Sequence, residues 1–172
     1  MYAGFSECDE ITVYIISLFY AEHGANPNAR YFFGSEINLL TPADLPFLEL
    51  LLMFGADPNS RDRQGLTPLM RSCRYPDAIH TILCLIAYGA DVNAVTDERH
   101  DYRTVLHHAV LSGDLDLLKL LIKQGAHVNY SAEYEKPTPL DLAILRGDVD
   151  CVKLLIMAGK NRKNELFLIF SY

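Results

Sequence analysis

The chain has 172 residues, half of them hydrophobic, and a formal net charge of −7. This length fits one domain or a short repeat array with a sizeable core. The negative charge argues against a general binder of nucleic acid or anionic membrane, because both need a positive field. The charge fits a soluble protein with a protein partner but does not demand one, and we expect no small-molecule substrate.

The first predicted element is the apolar stretch from Ile11 to Ala21, "ITVYIISLFYA". It is too short to span a bilayer, which takes roughly 20 residues. Acidic residues precede it, where a signal peptide would carry basic ones. We therefore expect no targeting segment and no membrane insertion.

A turn motif recurs along the chain, with a glycine, a small residue and then Asp or Asn. Successive turn glycines are 31, 34, 36 and 34 residues apart. Self-similarity at this period indicates a stacked repeat array. The copies are "GANPNA" at Gly24, "GADPNS" at Gly55, "GADVNA" at Gly89, "GAHVNY" at Gly125 and a damaged "GKNRKN" at Gly159.

A second mark keeps phase with the turns. It reads "TPLM" at Thr67, "TVLH" at Thr104 and "TPLD" at Thr138, each 21 or 22 residues before the next turn glycine. The segment between the marks predicts two helices. The threonine hydroxyl would cap the first helix, and Pro68 and Pro139 would occupy first-turn positions.

The best example of such a segment begins at Thr104. Leu106, Ala109 and Val110 lie at helical spacing, and Gly113 would end this first helix in the left-handed conformation. An apolar second helix would follow and end at Gly125. One such unit cannot bury its apolar faces alone, whereas stacked units form a solenoid.

These segments resemble ankyrin repeats, whose unit is a β-turn plus two helices with a T-P-L-H-x-A signature. The resemblance is strongest from Gly65 to Gly159. It implies an all-α solenoid of stacked helix-turn-helix units with projecting β-turn loops. We assign an array over residues 1–164 and an apolar tail over 165–172. The repeats are 5–30 and 31–61, both degenerate, then 62–96, 97–131 and 132–163.

Departures from the family pattern are informative. Met70 and Asp141 stand where the family often has histidine, and His107 keeps it. The resemblance implies that His107 braces the turns through hydrogen bonds. Pro76 replaces the glycine between the helices of its unit. The loop from Ala94 to Arg103 is longer than its counterparts, and insertions in such arrays often lie on the binding face.

No motif for catalysis or cofactor binding is apparent. The sequence lacks a phosphate-binding loop, an HExxH motif, a nucleophile elbow and cysteine or histidine pairs at zinc spacing. The densest polar group is the pair His107 and His108 together with Asp141. A metal or acid–base site there would need a third ligand that the sequence does not identify. We expect no enzyme, no cofactor and no metal. The four cysteines, which form no CxxC pair, indicate buried reduced thiols in the cytoplasm or nucleus.

The resemblance implies a protein partner bound on the concave side, by the first helices and the projecting turns. Arginine and tyrosine recur at these positions and are enriched in interface hot spots. The arginines would suit an acidic partner segment. The candidate contact residues are Arg61, Arg63, Arg71, Arg74, Tyr75, Arg99, His100, Tyr102, Arg103, His108, Leu111 and Tyr134.

Two further features leave alternatives open. The segment Leu85 to Asn93 resembles sites at which an asparaginyl hydroxylase modifies ankyrin proteins, which makes Asn93 a candidate for hydroxylation. Alternatively, the turn asparagines only hydrogen-bond the backbone. The apolar tail could cap the array, begin a further repeat of a truncated protein, or contact a partner.

The expected function is a non-catalytic protein-interaction scaffold or adaptor. The alternatives are the substrate-recognition part of a ubiquitin-ligase adaptor and a fragment of a larger signalling or membrane-associated protein.

Overall fold

The computed structural model describes residues 24–30, 34–130 and 136–169. Seven α-helices and three short 3-10 helices occur in these ranges. The 3-10 helices are Glu36–Asn38, Pro42–Asp44 and Glu98–His100. The α-helices are α1 (Leu45–Met53), α2 (Pro68–Ser72), α3 (Ile79–Ala87), α4 (Val105–Ser112), α5 (Leu115–Lys123), α6 (Pro139–Leu145) and α7 (Val149–Ile169).

The chain forms two compact units, Met1–Asp91 and Val92–Tyr172. In the first unit, α3 packs against both α1 and α2. The side chains of Leu51, Leu69 and Ile82 at these contacts are fully buried. Helix–helix packing of apolar faces is therefore the main source of stability in this unit.

In the second unit, α4 packs against α5 and α6, and α7 packs against α5 and α6. Each helix pair thus contacts the next pair. Leu106 on α4, Leu118 on α5 and Leu155 on α7 are buried in the core. This arrangement is the stacking that the period of the sequence predicts.

The helix starts confirm the predicted caps. The Thr67 hydroxyl accepts the backbone N–H of Met70, and the Thr138 hydroxyl accepts that of Asp141. Thr104 is the N-cap of α4. Pro68 and Pro139 are the first residues of their helices, where a missing N–H costs nothing.

Most predicted helix ends are confirmed, with one exception. Gly113, directly after α4, and Gly125, which follows the C-cap residue Gln124 of α5, adopt left-handed φ angles of 76° and 94°. The prediction for Gly159 is wrong, because α7 continues through it to Ile169. The turn sequence Gly-Ala has become "GKNRK" here, and lysine and arginine favour the helix.

The degenerate second repeat keeps only short turns in place of a first helix, Glu36–Asn38 and Pro42–Asp44. Where Pro76 replaces the expected glycine, the following Asp77 takes the left-handed conformation with φ of 56°. Aspartate tolerates this region better than most residues. The repeat boundaries and the role of the tail stay predictions, and the residues of the first predicted helix lie outside the described ranges.

Among the described residues, no helix is both long and apolar enough to cross a membrane. Cys73 and Cys151 are buried free thiols, and Cys84 is a half-buried one. Burial raises the pKa of the Cys151 thiol to about 11. Cys73 and Cys151 are therefore core residues, as the sequence predicts, whereas Cys84 is less buried than predicted.

Candidate partner-binding surface

Turn asparagines connect each turn to the next one. The Asn28 amide donates to the Gly55 carbonyl at 2.8 Å and accepts the Asp57 N–H at 2.7 Å. Asn59 repeats this pattern with Gly89 at 3.0 Å and Asp91 at 2.7 Å. Each amide satisfies one carbonyl and one N–H of a neighbouring turn, so the tips are fixed relative to one another.

Asn93 continues the pattern in the second unit. Its amide accepts the His127 N–H at 2.7 Å and lies 3.4 Å from the Gly125 carbonyl oxygen. The side chain is half-buried. This geometry is the backbone-bonding role that the sequence offers as an alternative. Hydroxylation of Asn93 stays a prediction.

The long tip from Ala94 to Arg103 is a closed hairpin loop. An isolated antiparallel bridge joins Val95 to Thr104 at its base. The buried Thr96 hydroxyl accepts the Arg103 N–H at 2.7 Å and donates to the His100 carbonyl at 3.0 Å. The Thr96 side chain thus links its own side of the loop to the opposite side through two hydrogen bonds.

Charged groups fix the outer part of this tip. Asp101 and Tyr102 are in the left-handed conformation, with φ of 60° and 52°. The Asp101 carboxylate pairs with the Lys136 ammonium at 3.0 Å and with Arg103 at 3.5 Å. The hydrogen bond from Lys136 lowers the pKa of Asp101. His100 Nδ1 lies 2.7 Å from the Asp97 carboxylate and lowers its pKa in the same way.

The structure separates the sequence candidates by exposure. Arg61, Arg63, Arg74 and Arg99 are exposed. His108 is only 8% exposed, so it presents little surface to a partner. Tyr134 lies outside the described residues. The other candidates are half-buried: Arg71, Tyr75, His100, Tyr102, Arg103 and Leu111.

Arg71 is held in a partly buried ion pair. Its guanidinium pairs at 3.0 Å with the carboxylate of Asp62, whose side chain is 3% exposed. Asp62 also accepts the N–H groups of Gln64 and Leu66 at 2.8 and 2.9 Å. The buried carboxylate needs this compensating charge. Arg71 therefore holds the turn together, and Arg74 is the more accessible cation.

His107 braces neighbouring repeats, as the resemblance implies. Its Nδ1 accepts the Thr104 backbone N–H at 3.0 Å, and its Nε2 lies 2.9 Å from the Pro137 carbonyl oxygen. Nδ1 must therefore be unprotonated, and Nε2–H donates to Pro137. Burial lowers the pKa of His107 and favours this neutral form. Both ring nitrogens are engaged, and the described residues contain no metal-ligand cluster.

The sequence pattern did not predict a polar cleft that lies in the first unit. Arg30 and Arg61 both line it, together with Ser35 and Ser60. A signal was present, since Arg30 and Arg61 each follow their turn glycine by six residues. The surrounding repeats are degenerate, so this shared position does not stand out.

An apolar face is exposed on the last helix pair of the second unit. Val110 on α4 is fully buried, whereas Ile144, one repeat later on α6, is 58% exposed. Val149 at the start of α7 is 61% exposed. The difference arises because α6 packs against α4 and covers Val110. Within the described residues, no further helix pair packs against α6 and α7 to cover Ile144.

Comparisons with known proteins agree with this architecture. The model of the family described as "Ankyrin repeats (3 copies)" matches residues 41–131 and 75–165, more than half of the chain. Human "Ankyrin repeat and SOCS box protein 6" is 34% identical over 117 residues, or 62% of this chain.

Two other relatives come from a plant and an insect. The "Putative E3 ubiquitin-protein ligase XBAT35" of Arabidopsis thaliana is 38% identical over 42% of this chain. The "Transient receptor potential channel pyrexia" of Drosophila melanogaster is 32% identical over 57% of it. The aligned segments span 27% of the human protein, 16% of the plant protein and 10% of the insect protein.

Proposed function

This chain belongs to the ankyrin repeat family, and from that premise we propose that it is a non-catalytic scaffold or adaptor that binds a partner protein. The contact surface would be made by the turn tips and the first helices of the repeats. The observation that carries the proposal is the set of exposed arginines, Arg63, Arg74 and Arg99, on or beside hydrogen-bonded turns.

Preorganisation supports this role. The asparagine bonds between turns and the Thr96 bonds within the long tip hold the loops in one conformation. A partner would then bind without the cost of ordering these loops. A rigid scaffold with variable exposed tips is a common design for recognition.

The partner segment would be acidic. Arg63, Arg74 and Arg99 are exposed cations on a chain of net charge −7. Arginine forms bidentate bonds with carboxylates, which gives geometric specificity as well as attraction. His107 is committed to bracing α4, and this supports a non-catalytic role for the densest polar group of the sequence.

A second candidate is the substrate-recognition part of a ubiquitin-ligase adaptor in the cytoplasm or nucleus. Its support is the similarity to XBAT35, which is named for an E3 ubiquitin-protein ligase, and to a protein named for a SOCS box. The relationship to an insect channel supports the other alternative, a fragment of a larger membrane-associated protein.

Affinity capture with quantitative mass spectrometry tests the proposal. The wild-type chain is compared with a variant carrying Arg63→Glu, Arg74→Glu and Arg99→Glu. We expect at least one protein to be enriched by the wild type and lost from the variant. Capture of the same proteins by both chains would contradict the proposed surface. Enrichment of a ligase subunit would favour the adaptor.

A further inference from the structure

The polar cleft of the first unit has a volume of about 490 Å³. Every residue that lines it is polar or charged, so it does not suit an apolar ligand. Part of this lining is already used by the fold. Asn28 and Asn59 bond neighbouring turns, and Asp57 accepts the Asn59 N–H at 2.8 Å. These residues form fixed walls.

Two arginines supply charge to the cleft. Arg30 donates from Nη2 to the Arg61 carbonyl at 3.0 Å, and Arg61 donates from Nη1 to the Gly65 carbonyl at 2.9 Å. The Arg30 bond uses one of its five guanidinium donors and meets an uncharged acceptor. Within residues 24–30, 34–130 and 136–169, no carboxylate forms an ion pair with Arg30.

A short chain of hydrogen bonds ends at Ser60. The buried Asn38 amide donates from Nδ2 to the hydroxyls of Ser35 and Ser60, at 3.1 and 3.0 Å. The Ser35 hydroxyl donates to the Ser60 hydroxyl at 3.0 Å. Ser60 accepts both bonds, which leaves its own proton to donate to a ligand. Such chains polarise their last donor.

The donors of the cleft outnumber its acceptors. Two arginines and one aspartate line the cleft, so its lining is net positive on a chain of net charge −7. The overall negative charge opposes a polyanion such as nucleic acid. A single carboxylate on a protein segment avoids this repulsion and matches the guanidinium geometry.

We propose that the cleft between Arg30, Arg61 and Ser60 binds an aspartate or glutamate side chain of the partner's acidic segment. The inference rests on the proposed function and adds one specific anchor point to it. The Arg30 guanidinium would bind the carboxylate oxygens, and the Ser60 hydroxyl would donate a further hydrogen bond.

The test is a titration of the 15N-labelled full chain with acetyl-Glu-Glu-amide, followed by 1H–15N NMR. We expect saturable shifts at the backbone amides of Ser60 and Arg61 and at the Nε–H group of Arg30. The matched probe acetyl-Gln-Gln-amide should shift none of these signals. Arg30→Gln should weaken binding about tenfold, as expected for loss of a charged hydrogen-bond donor.

Arg146→Gln is the matched control, because Arg146 is an exposed arginine that neither lines the cleft nor belongs to the proposed contact residues. It should leave the titration unchanged. Equal shifts with the glutamine probe, or equal affinity in the Arg30→Gln chain, would overturn the inference. Ser60→Ala provides a second variant, which should weaken binding without changing the charge of the cleft.

Failure of this inference can be told apart from failure of the proposed function. If a captured partner binds wild type and Arg30→Gln equally, the cleft is not its anchor but the scaffold function stands. If no partner is captured and the glutamate probe still binds at Arg30, the cleft stands and the scaffold function fails.

Discussion

The side-chain amide of Asn93 accepts the backbone N–H of His127 at 2.7 Å, across one full repeat of sequence. Asn28 and Asn59 make the same bond to Asp57 and Asp91. The recurring turn asparagine is therefore a connector between consecutive turns. Within each unit these bonds hold neighbouring turn tips together, and the proposed contact residues lie on or beside those tips.

Replacement of the connector at Asn93 should destabilise the second unit. Asn93→Ala removes the bond to His127 and leaves the His127 N–H without its side-chain acceptor. We expect a loss of about 1 kcal/mol in the free energy of unfolding, measured by urea denaturation. Asn129→Ala, at an exposed asparagine of the next turn, should cost less. Equal losses in both variants would contradict the connector role.

Acid should weaken the fold through His107. Burial lowers the pKa of His107 from its ordinary value of 6.5, so the unfolded chain takes up this proton at higher pH than the folded chain. The histidine's contribution to stability is complete above pH 6.5 and is lost as the pH falls from there towards the folded pKa. His107→Gln should remove this component of the pH dependence between pH 7 and 5.

The measurement is the free energy of unfolding by urea at pH 7 and pH 5, for wild type and His107→Gln. The carboxyl groups of Asp97, Asp101 and Asp141 have lowered pKa values, and their ordinary value of 3.8 lies below this range. His80→Gln, at an exposed histidine, is the control. A pH dependence that survives in His107→Gln would refute the assignment.

Charge reversal at two neighbouring arginines should have very different consequences for stability. Arg71→Glu places a second carboxylate beside buried Asp62 and should cost about 3 kcal/mol or more. Arg74→Glu, at an exposed position, should change stability by less than about 0.5 kcal/mol. Thermal or urea unfolding of both variants decides the matter. Similar stabilities would mean that the Arg71–Asp62 pair is not needed by the turn.

Equivalent positions in consecutive repeats should respond differently to truncation. Val110→Ala removes fully buried methyl groups and should cost about 2 kcal/mol. Ile144→Ala affects a side chain that is 58% exposed and should cost less than about 1 kcal/mol. Urea denaturation compares the two directly. A larger loss at Ile144 would indicate that its face is covered in solution.

Sequence reasoning predicted most of the fold, because repetition multiplies a weak local signal. Thr67, Thr104 and Thr138 begin helices, and Gly113 and Gly125 follow helix ends, as their spacing indicates. The error at Gly159 arose where the turn residues after the glycine have changed. Glycine alone permits a left-handed conformation but does not impose it.

The candidate surface was less predictable, because exposure and pairing depend on contacts between distant residues. Sequence position alone does not show that Arg71 is bound to Asp62, or that His108 is buried. The cleft at Arg30 and Arg61 was missed because it forms between degenerate repeats. Position within a repeat predicts where a side chain lies, but its partners follow only from packing.

The most direct test of the scaffold function is the affinity of the purified chain for a protein that it captures. Isothermal titration calorimetry would compare wild type with the triple variant Arg63→Glu, Arg74→Glu and Arg99→Glu, after circular dichroism shows equal helix content. We predict that the triple variant binds at least about a hundredfold more weakly, since three charge reversals oppose an acidic segment. An unchanged dissociation constant would contradict the proposed surface.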